Sequence, residues 1–230
     1  MLTLAIETTA VTASAALVDE NGIISVFNVN NKLTHSQKLL PMVDAVLAQS
    51  GYKINDVELI CVAAGPGSFT GVRIGISTVK GLAFANDIPC VSVSSLEALA
   101  FLNKNLGAVV CPVMDARRNE YYNALFDSGM NRICDDRAIG AEQLEIQLKA
   151  YDSVILNGDG AVKYYNWLDG RLPNVRLAAE FNLLQNAAAV GLCGFEKYKN
   201  GENISSSVLS PVYLRKPQAE REYKEQKGEN

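Results

Sequence analysis

Histidine is nearly absent from this chain: its 230 residues contain one, His35. Zinc sites usually combine several histidine and cysteine ligands. The second ligand of an H-x-x-x-H pair would stand four residues later, and that residue is Leu39. The five cysteines are scattered and form no C-x-x-C pair, and a nucleophilic Ser68 or Cys61 would have only His35 as a base. We therefore expect no metal site and no catalytic residue, and a local hydrogen bond for His35.

An excess of positive charge and long apolar runs are also absent. The formal net charge is −4, with 21 basic and 25 acidic residues, whereas an autonomous nucleic-acid-binding protein usually carries a basic patch. No apolar run approaches the ~20 residues that span a bilayer, and residues 1–4 (MLTL) carry no basic signal-peptide region. We expect a cytoplasmic protein that touches neither a membrane nor, except indirectly, a nucleic acid. Residues 215–230 are predicted to form a flexible charged tail.

Hydrophobic periodicity predicts one series of elements that occurs twice. The first copy is predicted as strands near 2–8, 13–18 and 23–29, a helix at 35–50, a strand at 57–63, a helix at 71–86, a strand at 89–93 and a helix at 95–103. The second copy is predicted as strands near 108–114, 120–127 and 131–138, a helix at 141–149, a strand at 153–157, a helix at 161–168, a strand near 174–177 and a helix at 183–199. A duplicated β-β-β-α-β-α-β-α unit is typical of the actin-like (ASKHA) α/β fold, so we expect two lobes, 1–105 and 106–214.

Local signals bound the first helix. Thr34 and Gln37 fit a capping box at its start, and Gly51 fits a stop at its end. Pro41 lacks an N–H group and is expected to kink the helix.

Residues 65–75 (GPGSFTGVRIG) form a glycine-rich loop that runs into a predicted helix. Such a loop can hold an anion at the helix N-terminus, or it can let two backbones approach closely. The pattern is one residue away from a dinucleotide fingerprint, and no Walker A motif is present. The turns after the first strand of each half, 7–10 (ETTA) and 115–118 (DARR), lack the glycine with which actin-like enzymes wrap phosphates. Close approach is therefore the preferred interpretation, although anion binding stays open.

Small and apolar residues in the helices at 35–50 and 71–86 suggest that these two helices meet a partner. A glycine inside a helix costs about 1 kcal/mol relative to alanine, so two on one stripe suggest that another backbone comes near. Two such helices side by side would form half of a four-helix bundle. Packing against the chain's own sheet is the alternative. The predicted interface consists of Leu39, Leu40, Val43, Val46, Gly71, Gly75, Thr78 and Leu82.

Several segments together resemble the TsaB (YeaZ) family. The most specific is the glycine loop at 65–75, and the matches extend over nearly the whole chain. The others are 4–8 (LAIET), 35–41 (HSQKLLP), 115–122 (DARRNEYY), 158–161 (GDGA) and 211–215 (PVYLR). One departure is Glu7, where the family more often has aspartate.

The resemblance implies a non-catalytic scaffold subunit in the synthesis of N6-threonylcarbamoyladenosine, beside the anticodon of tRNAs that read codons starting with A. It implies pairing with TsaD through the two N-terminal helices, an association with the ATPase TsaE, and a homodimer through the same surface when the protein is alone. TsaD is the metal-bearing paralogue, and the implied subunit lacks its H-x-x-x-H ligands. No cofactor is expected, except ATP or ADP in the complex with TsaD and TsaE, with Glu7, Ser68 and Asp115 as candidate contacts.

Two other functions stay open at this point. One is a stand-alone actin-like ATPase or small-molecule kinase, which would use Glu7 and Asp115. The other is a peptidase, against which the missing metal ligands argue.

Overall fold

A computed structural model describes residues 1–31 and 34–215 of the chain. The first sheet has the order β3-β2-β1-β4-β5. Its central strand β1 is antiparallel to β2 and parallel to β4. The strands are β1 (Thr3–Glu7), β2 (Ala13–Asp19), β3 (Gly22–Val29), β4 (Leu59–Gly65) and β5 (Cys90–Ser94).

The second sheet repeats this arrangement in the order β10-β9-β6-β7-β8. Here β6 takes the place of β1, because it is antiparallel to β7 and parallel to β9. The strands are β6 (Val109–Asp115), β7 (Glu120–Phe126), β8 (Arg132–Gly140), β9 (Val154–Asn157) and β10 (Val175–Leu177). The two sheets confirm the predicted duplication.

Six α-helices cover the sheets in the described part of the chain. They are α1 (His35–Gln49), α2 (Phe69–Asn86), α3 (Ser95–Phe101), α4 (Ala141–Leu148), α5 (Ala161–Leu168) and α6 (Ala187–Lys199). Helices α1 and α2 lie side by side on one face of the first sheet, and α4 and α5 pack on the second sheet. Two short 3₁₀ helices, Ile54–Asp56 and Glu180–Asn182, were not predicted.

The last helix of each half contacts the sheet of the other half. Helix α6 contacts all five strands of the first sheet, and α3 contacts β6 and β7 of the second. Two glycines let α6 come close: a Cβ on Gly191 would lie 2.9 Å from Val18 Cγ2, and one on Gly194 would overlap Cys61 Sγ. The predicted division at residue 105 therefore describes the order of elements along the chain, while the packing crosses it.

Local capping explains where predicted and observed boundaries differ. Helix α2 begins at Phe69 rather than 71, because the Ser68 hydroxyl accepts a hydrogen bond from Gly71 N. Helix α6 begins at 187 rather than 183, because the Asn186 side chain accepts one from Ala188 N.

The predicted capping box at Thr34 is wrong. The Thr34 side chain makes no capping hydrogen bond, and its carbonyl accepts from Gln37 N at 3.2 Å instead. The stop at Gly51 is confirmed by its φ of +75°. Helix α1 continues through Pro41 to Gln49. Of the predicted tail, residues 216–230 lie outside the described residues.

Candidate functional site

The turn between β1 and β2 is held by the N-terminal end of α2. The Thr8 hydroxyl donates to Gly71 O at 2.8 Å, and Ser68 N donates to Thr9 O at 2.6 Å. Ser68 is the N-cap of α2. Because its backbone amide donates to Thr9 O, that amide is already used within the chain.

The glycines of the loop make this contact possible. A Cβ on Gly67 would overlap Thr9 O, and one on Gly71 would overlap Thr8 O. One helical turn further on, a Cβ on Gly75 would lie 2.5 Å from Thr8 Oγ1. The preferred interpretation of close approach therefore needs a correction: the backbone that comes near these glycines belongs to the chain's own first turn, not to a partner.

His35 contributes a further contact to the same turn. Its ring nitrogen Nε2 lies 2.7 Å from Ala10 O, so Nε2 carries the proton and donates it. The expected local hydrogen bond within the first turn of α1 is therefore wrong. Among the described residues, no three His, Cys, Asp or Glu side chains are grouped so as to hold a metal ion.

Glu7 lies beneath this turn at the end of β1. Its side chain is 1% exposed and accepts a hydrogen bond from Thr9 N at 2.5 Å. Burial raises the pKa of this carboxyl to about 7, against the lowering effect of the hydrogen bonds from Thr9, and the carboxylate of Asp159 raises it further. A buried carboxyl that uses the turn's own amide is positioned to stabilise the turn.

A cleft of about 540 Å³ lies between the lobes. Ser68 and Thr70 line it from the first lobe, and Asp115, Arg117 and Asp159 line it from the second. Of the three candidate nucleotide contacts, the structure thus places Ser68 and Asp115 on the cleft wall. The third, Glu7, is not among the lining residues.

The turn after β6 closes the cleft from the second lobe. Asp115 accepts a hydrogen bond from Arg117 N at 2.7 Å and an ion pair from Lys163 at 3.0 Å, and Ala116 N donates to Glu120 O at 3.0 Å. Arg117 and the next two residues all have positive φ angles, between 54° and 63°, a conformation that non-glycine residues seldom adopt.

These hydrogen bonds test whether the cleft fits the phosphates of a nucleotide. Actin-like enzymes would offer the backbone amides of both turns to the phosphates. Here Thr9 N is bonded to Glu7, and Arg117 N is bonded to Asp115. In this structure these two amides are therefore already occupied by the chain's own carboxylates.

Five of the eight predicted interface residues are already covered by the chain itself. Leu39, Val43 and Val46 are at most 3% exposed and belong to the core between α1, α2 and the first sheet. Gly71 and Gly75 are buried against the first turn. The interface prediction must therefore be corrected for these five residues, because none can offer contact area to a partner in this conformation.

The outer face of α1 and α2 consists of other positions. Leu40 is 50% exposed, and Ile74, Thr78 and Leu82 are partly exposed. Gly81 is exposed, and a Cβ there would meet nothing within 4 Å. Gly81 was not among the predicted interface residues, although its spacing of seven residues from Ile74 could have placed it on this face. We call these five residues, Leu40, Ile74, Thr78, Gly81 and Leu82, the outer helix face.

Comparison with known proteins assigns the family. The chain is 37% identical to the tRNA threonylcarbamoyladenosine biosynthesis protein TsaB of Escherichia coli strain K12, over 94% of this chain and 95% of that protein. The solved structure of YeaZ from Pseudomonas aeruginosa matches with a TM-score of 0.79 and 30% identity, over 93% of this chain and 99% of that one.

The chain belongs to the TsaB (YeaZ) family.

Two further matches extend this result. Residues 29–152, which include α1 and α2, match the family model described as TsaD: tRNA N6-adenosine threonylcarbamoyltransferase. An activator of 2-hydroxyisocaproyl-CoA dehydratase from Clostridium difficile, solved with bound ADPNP, has a TM-score of 0.55 at 8% identity, covering 87% of this chain and 97% of its own. That likeness supports the actin-like fold of this TsaB family member. None of the helices in residues 1–31 and 34–215 is long and apolar enough to cross a membrane.

Proposed function

We propose that this protein is a non-catalytic subunit that supports transfer of the threonylcarbamoyl group to the adenosine beside the anticodon of tRNAs reading codons that start with A. Its family membership supports this proposal, since the E. coli relative is named for the biosynthesis of this modification. We place the protein in the cytoplasm, with tRNA contacted only through its partners.

The outer helix face supports a docking role. Leu40 on α1 and the four positions of this face on α2 are uncharged and at least partly exposed. We propose that TsaD docks here with its own two helices, completing a four-helix bundle, and that TsaE joins this pair. Without TsaD, a second copy of the chain would occupy the same face. The TsaD model matches this part of the chain, which favours pairing of like helices.

The hydrogen bonds within the two turns support a non-catalytic role. One amide of each turn, Thr9 N and Arg117 N, is bonded to a carboxylate of the same turn, and we propose that this chain does not hydrolyse ATP by itself. Any ATP or ADP contact would then belong to the complex with TsaD and TsaE, through Ser68 and Asp115 at the cleft rather than through buried Glu7.

Gly81→Arg is the sharpest test of the docking face. It adds a long charged side chain where the structure has open space, and it raises helix propensity by up to ~1 kcal/mol. We expect the affinity for TsaD to fall at least ~30-fold with no loss of thermal stability. Gly75→Arg is unsuitable, because its Cβ would collide with Thr8 and disturb the fold itself.

Ile146→Arg is the matched control. Ile146 is 67% exposed on α4 of the second lobe, so the charge is added to a helix outside the proposed interface. Titration calorimetry with TsaD and a reconstituted tRNA modification assay, with the subunit omitted and added back, provide the readouts. Unchanged TsaD affinity for Gly81→Arg would overturn the docking face, and full modification without the subunit would overturn the function.

A further inference from the structure

Residues 204–215 form a segment that we call the C-terminal strap. At its start Ile204 exchanges two backbone hydrogen bonds of 2.9 Å with Cys90 of β5. Further along, Lys80 of α2 donates to Ser207 O at 3.3 Å, and Leu209 is fully buried in the core under α1 and α2. The first part of the strap is therefore an integral part of the first lobe.

Tyr213 anchors the middle of the strap on the N-terminal turn of α2. Its ring stacks on Phe69, with centroids 4.5 Å apart and planes at 22°. Its hydroxyl accepts a hydrogen bond from Arg73 Nε at 2.8 Å, and the Arg73 guanidinium lies 3.9 Å from the centre of the Phe69 ring. One residue earlier, Val212 N donates to Ala64 O at 2.7 Å. A stacked pair flanked by a cation is a specific arrangement rather than a loose surface contact.

Arg215 binds the strap to the second lobe. Its guanidinium donates to Ala116 O at 2.8 Å and forms an ion pair with Glu120. It also lies 5.8 Å from the centre of the Tyr122 ring. The Arg215 side chain is 11% exposed, so much of this contact is shielded from water. Two residues after its aromatic anchor on the first lobe, the strap is therefore bonded to the turn after β6.

The strap also forms part of the cleft wall. Residues 212–215 line the cleft together with both turns that face each other across it. We call these two turns the lips of the cleft: the first lip is Thr9 to Val11 on the first lobe, and the second lip is Asp115 to Arg117 on the second lobe. The contacts of Tyr213 and Arg215 are noncovalent, so the link that they make can be released while the chain stays continuous.

We propose that the C-terminal strap is a latch that holds the two lips of the cleft together. With Tyr213 and Arg215 in place, the strap closes one side of the cleft. When they are released, the lobes move apart and the cleft becomes accessible from that side. The latch acts within the chain by itself and does not depend on the proposed docking of TsaD.

Hydrogen exchange by mass spectrometry on the full chain tests the latch. In Arg215→Gln and Tyr213→Ser we expect the amides whose hydrogen bonds hold the two lips to exchange about tenfold faster. These are Ser68 N, bonded to Thr9 O of the first lip, and Ala116 N of the second lip, bonded to Glu120 O. Tyr165→Ser is the matched control: Tyr165 and Tyr213 are each 39% exposed, but Tyr165 lies on α5. It should leave both lips unchanged.

Faster exchange of Val212 N alone, with both lips unchanged, would overturn the latch, because the strap would then be only a surface segment of the first lobe. If Tyr213→Ser fails to fold, hydrogen exchange in Tyr213→Phe and Arg215→Gln tests the latch instead. Tyr213→Phe keeps the stack and removes only the hydroxyl bonded to Arg73, so it should speed exchange at the lips less, but in the same direction. No acceleration at the second lip in either variant would also contradict the proposal.

Discussion

The two halves of the molecule have the same order of strands but do not have the same surroundings. Each contains three meandering strands and two parallel crossovers, yet the last helix of each half contacts the sheet of the other. The long helix α6 packs on the first sheet, whereas the short helix α3 contacts strands of both sheets. The halves are thus units of topology, while helices from one half contribute to hydrophobic clusters of the other.

The helices on the outer faces differ as well. Helices α1 and α2 have 15 and 18 residues, whereas α4 and α5 have 8 each. A helix of 8 residues makes about two turns, and one of 18 makes five. The first lobe therefore offers a longer helical surface than the second, which agrees with the docking role that we propose for it.

The carboxyl groups at the ends of β1 and β6 give a third contrast. Glu7 is 1% exposed and hydrogen-bonded inside its turn, whereas the Asp115 side chain is 33% exposed and paired with Lys163. The same topological position thus carries a buried structural group in one lobe and a partly exposed one on the cleft wall in the other.

The largest expected effect comes from preventing α6 from packing closely on the first sheet. Gly194→Val would place a side chain against Cys61 and Val93 of the first sheet, which we expect to lower the free energy of unfolding by about 3 kcal/mol or more. Urea denaturation measures the loss. Gly81→Ala is the control, since its Cβ has open space and should stabilise the protein by up to ~1 kcal/mol. Equal stability of Gly194→Val and the unaltered protein would show that α6 is not held closely.

Glu7→Gln tests the contrast between the two carboxyl groups. The folded-state pKa of about 7 exceeds the ordinary 4.5, so this group lowers stability as pH rises from 4.5 to 7 and by a constant amount above 7. Glutamine keeps an oxygen acceptor for Thr9 N without the charge. Relative to the unaltered protein, we expect the variant to be more stable at pH 8 than at pH 5 by on the order of 2 kcal/mol.

Denaturant unfolding at the two pH values measures this difference. Asp115→Asn is the control: it removes a partly exposed ion pair with Lys163, worth about 0–1 kcal/mol. A Glu7→Gln variant whose stability relative to the unaltered protein is the same at both pH values would show that Glu7 is ionised without penalty in the folded state.

The smallest expected effect concerns the ion pairs that Arg132 of β8 makes with α3 and within its own strand. Glu97 of α3 lies 3.6 Å from Lys197 of α6 and 3.9 Å from Arg132 of β8. Arg132 also pairs with Asp136 at 2.5 Å. For Arg132→Gln we expect a loss of about 1 kcal/mol that shrinks as salt is added. Thermal unfolding at low and high salt checks this, and a loss that does not depend on salt would point to packing instead.

The fold was predictable because hydrophobic period and turn residues identify elements locally. Both halves and the order of their elements along the chain follow from such signals. The contacts of α3 and α6 with the sheet of the other half were not predictable. Periodicity shows which face of a helix is apolar, but it does not show which sheet covers that face. The same ambiguity explains the interface error: Leu39, Val43 and Val46 were recognised as an apolar stripe, and they cover the chain's own core. A sequence pattern does not distinguish an apolar stripe that covers the chain's own core from one that binds a partner.

The site was predictable only in part, for a related reason. Asp115 was identified in the turn after the first strand of the second half and Ser68 in the glycine loop, and both line the cleft. The contact of Tyr213 with Arg73 joins residues 140 positions apart, and no local pattern could predict it. The glycine loop was correctly predicted to allow close approach of another backbone. That this backbone belongs to Thr8 and Thr9 depends on the folded structure and not on a local pattern.

The burial of Leu39 also determines what a second histidine in α1 would meet. A metal-binding H-x-x-x-H pair would need histidine at position 39, where the side chain is 1% exposed among apolar residues. A single substitution would place an imidazole in the core, where it lacks polar partners, and the ring of His35 is already bonded to Ala10. A histidine at position 39 would therefore lose the apolar contacts of Leu39 and gain no hydrogen-bond partner in their place.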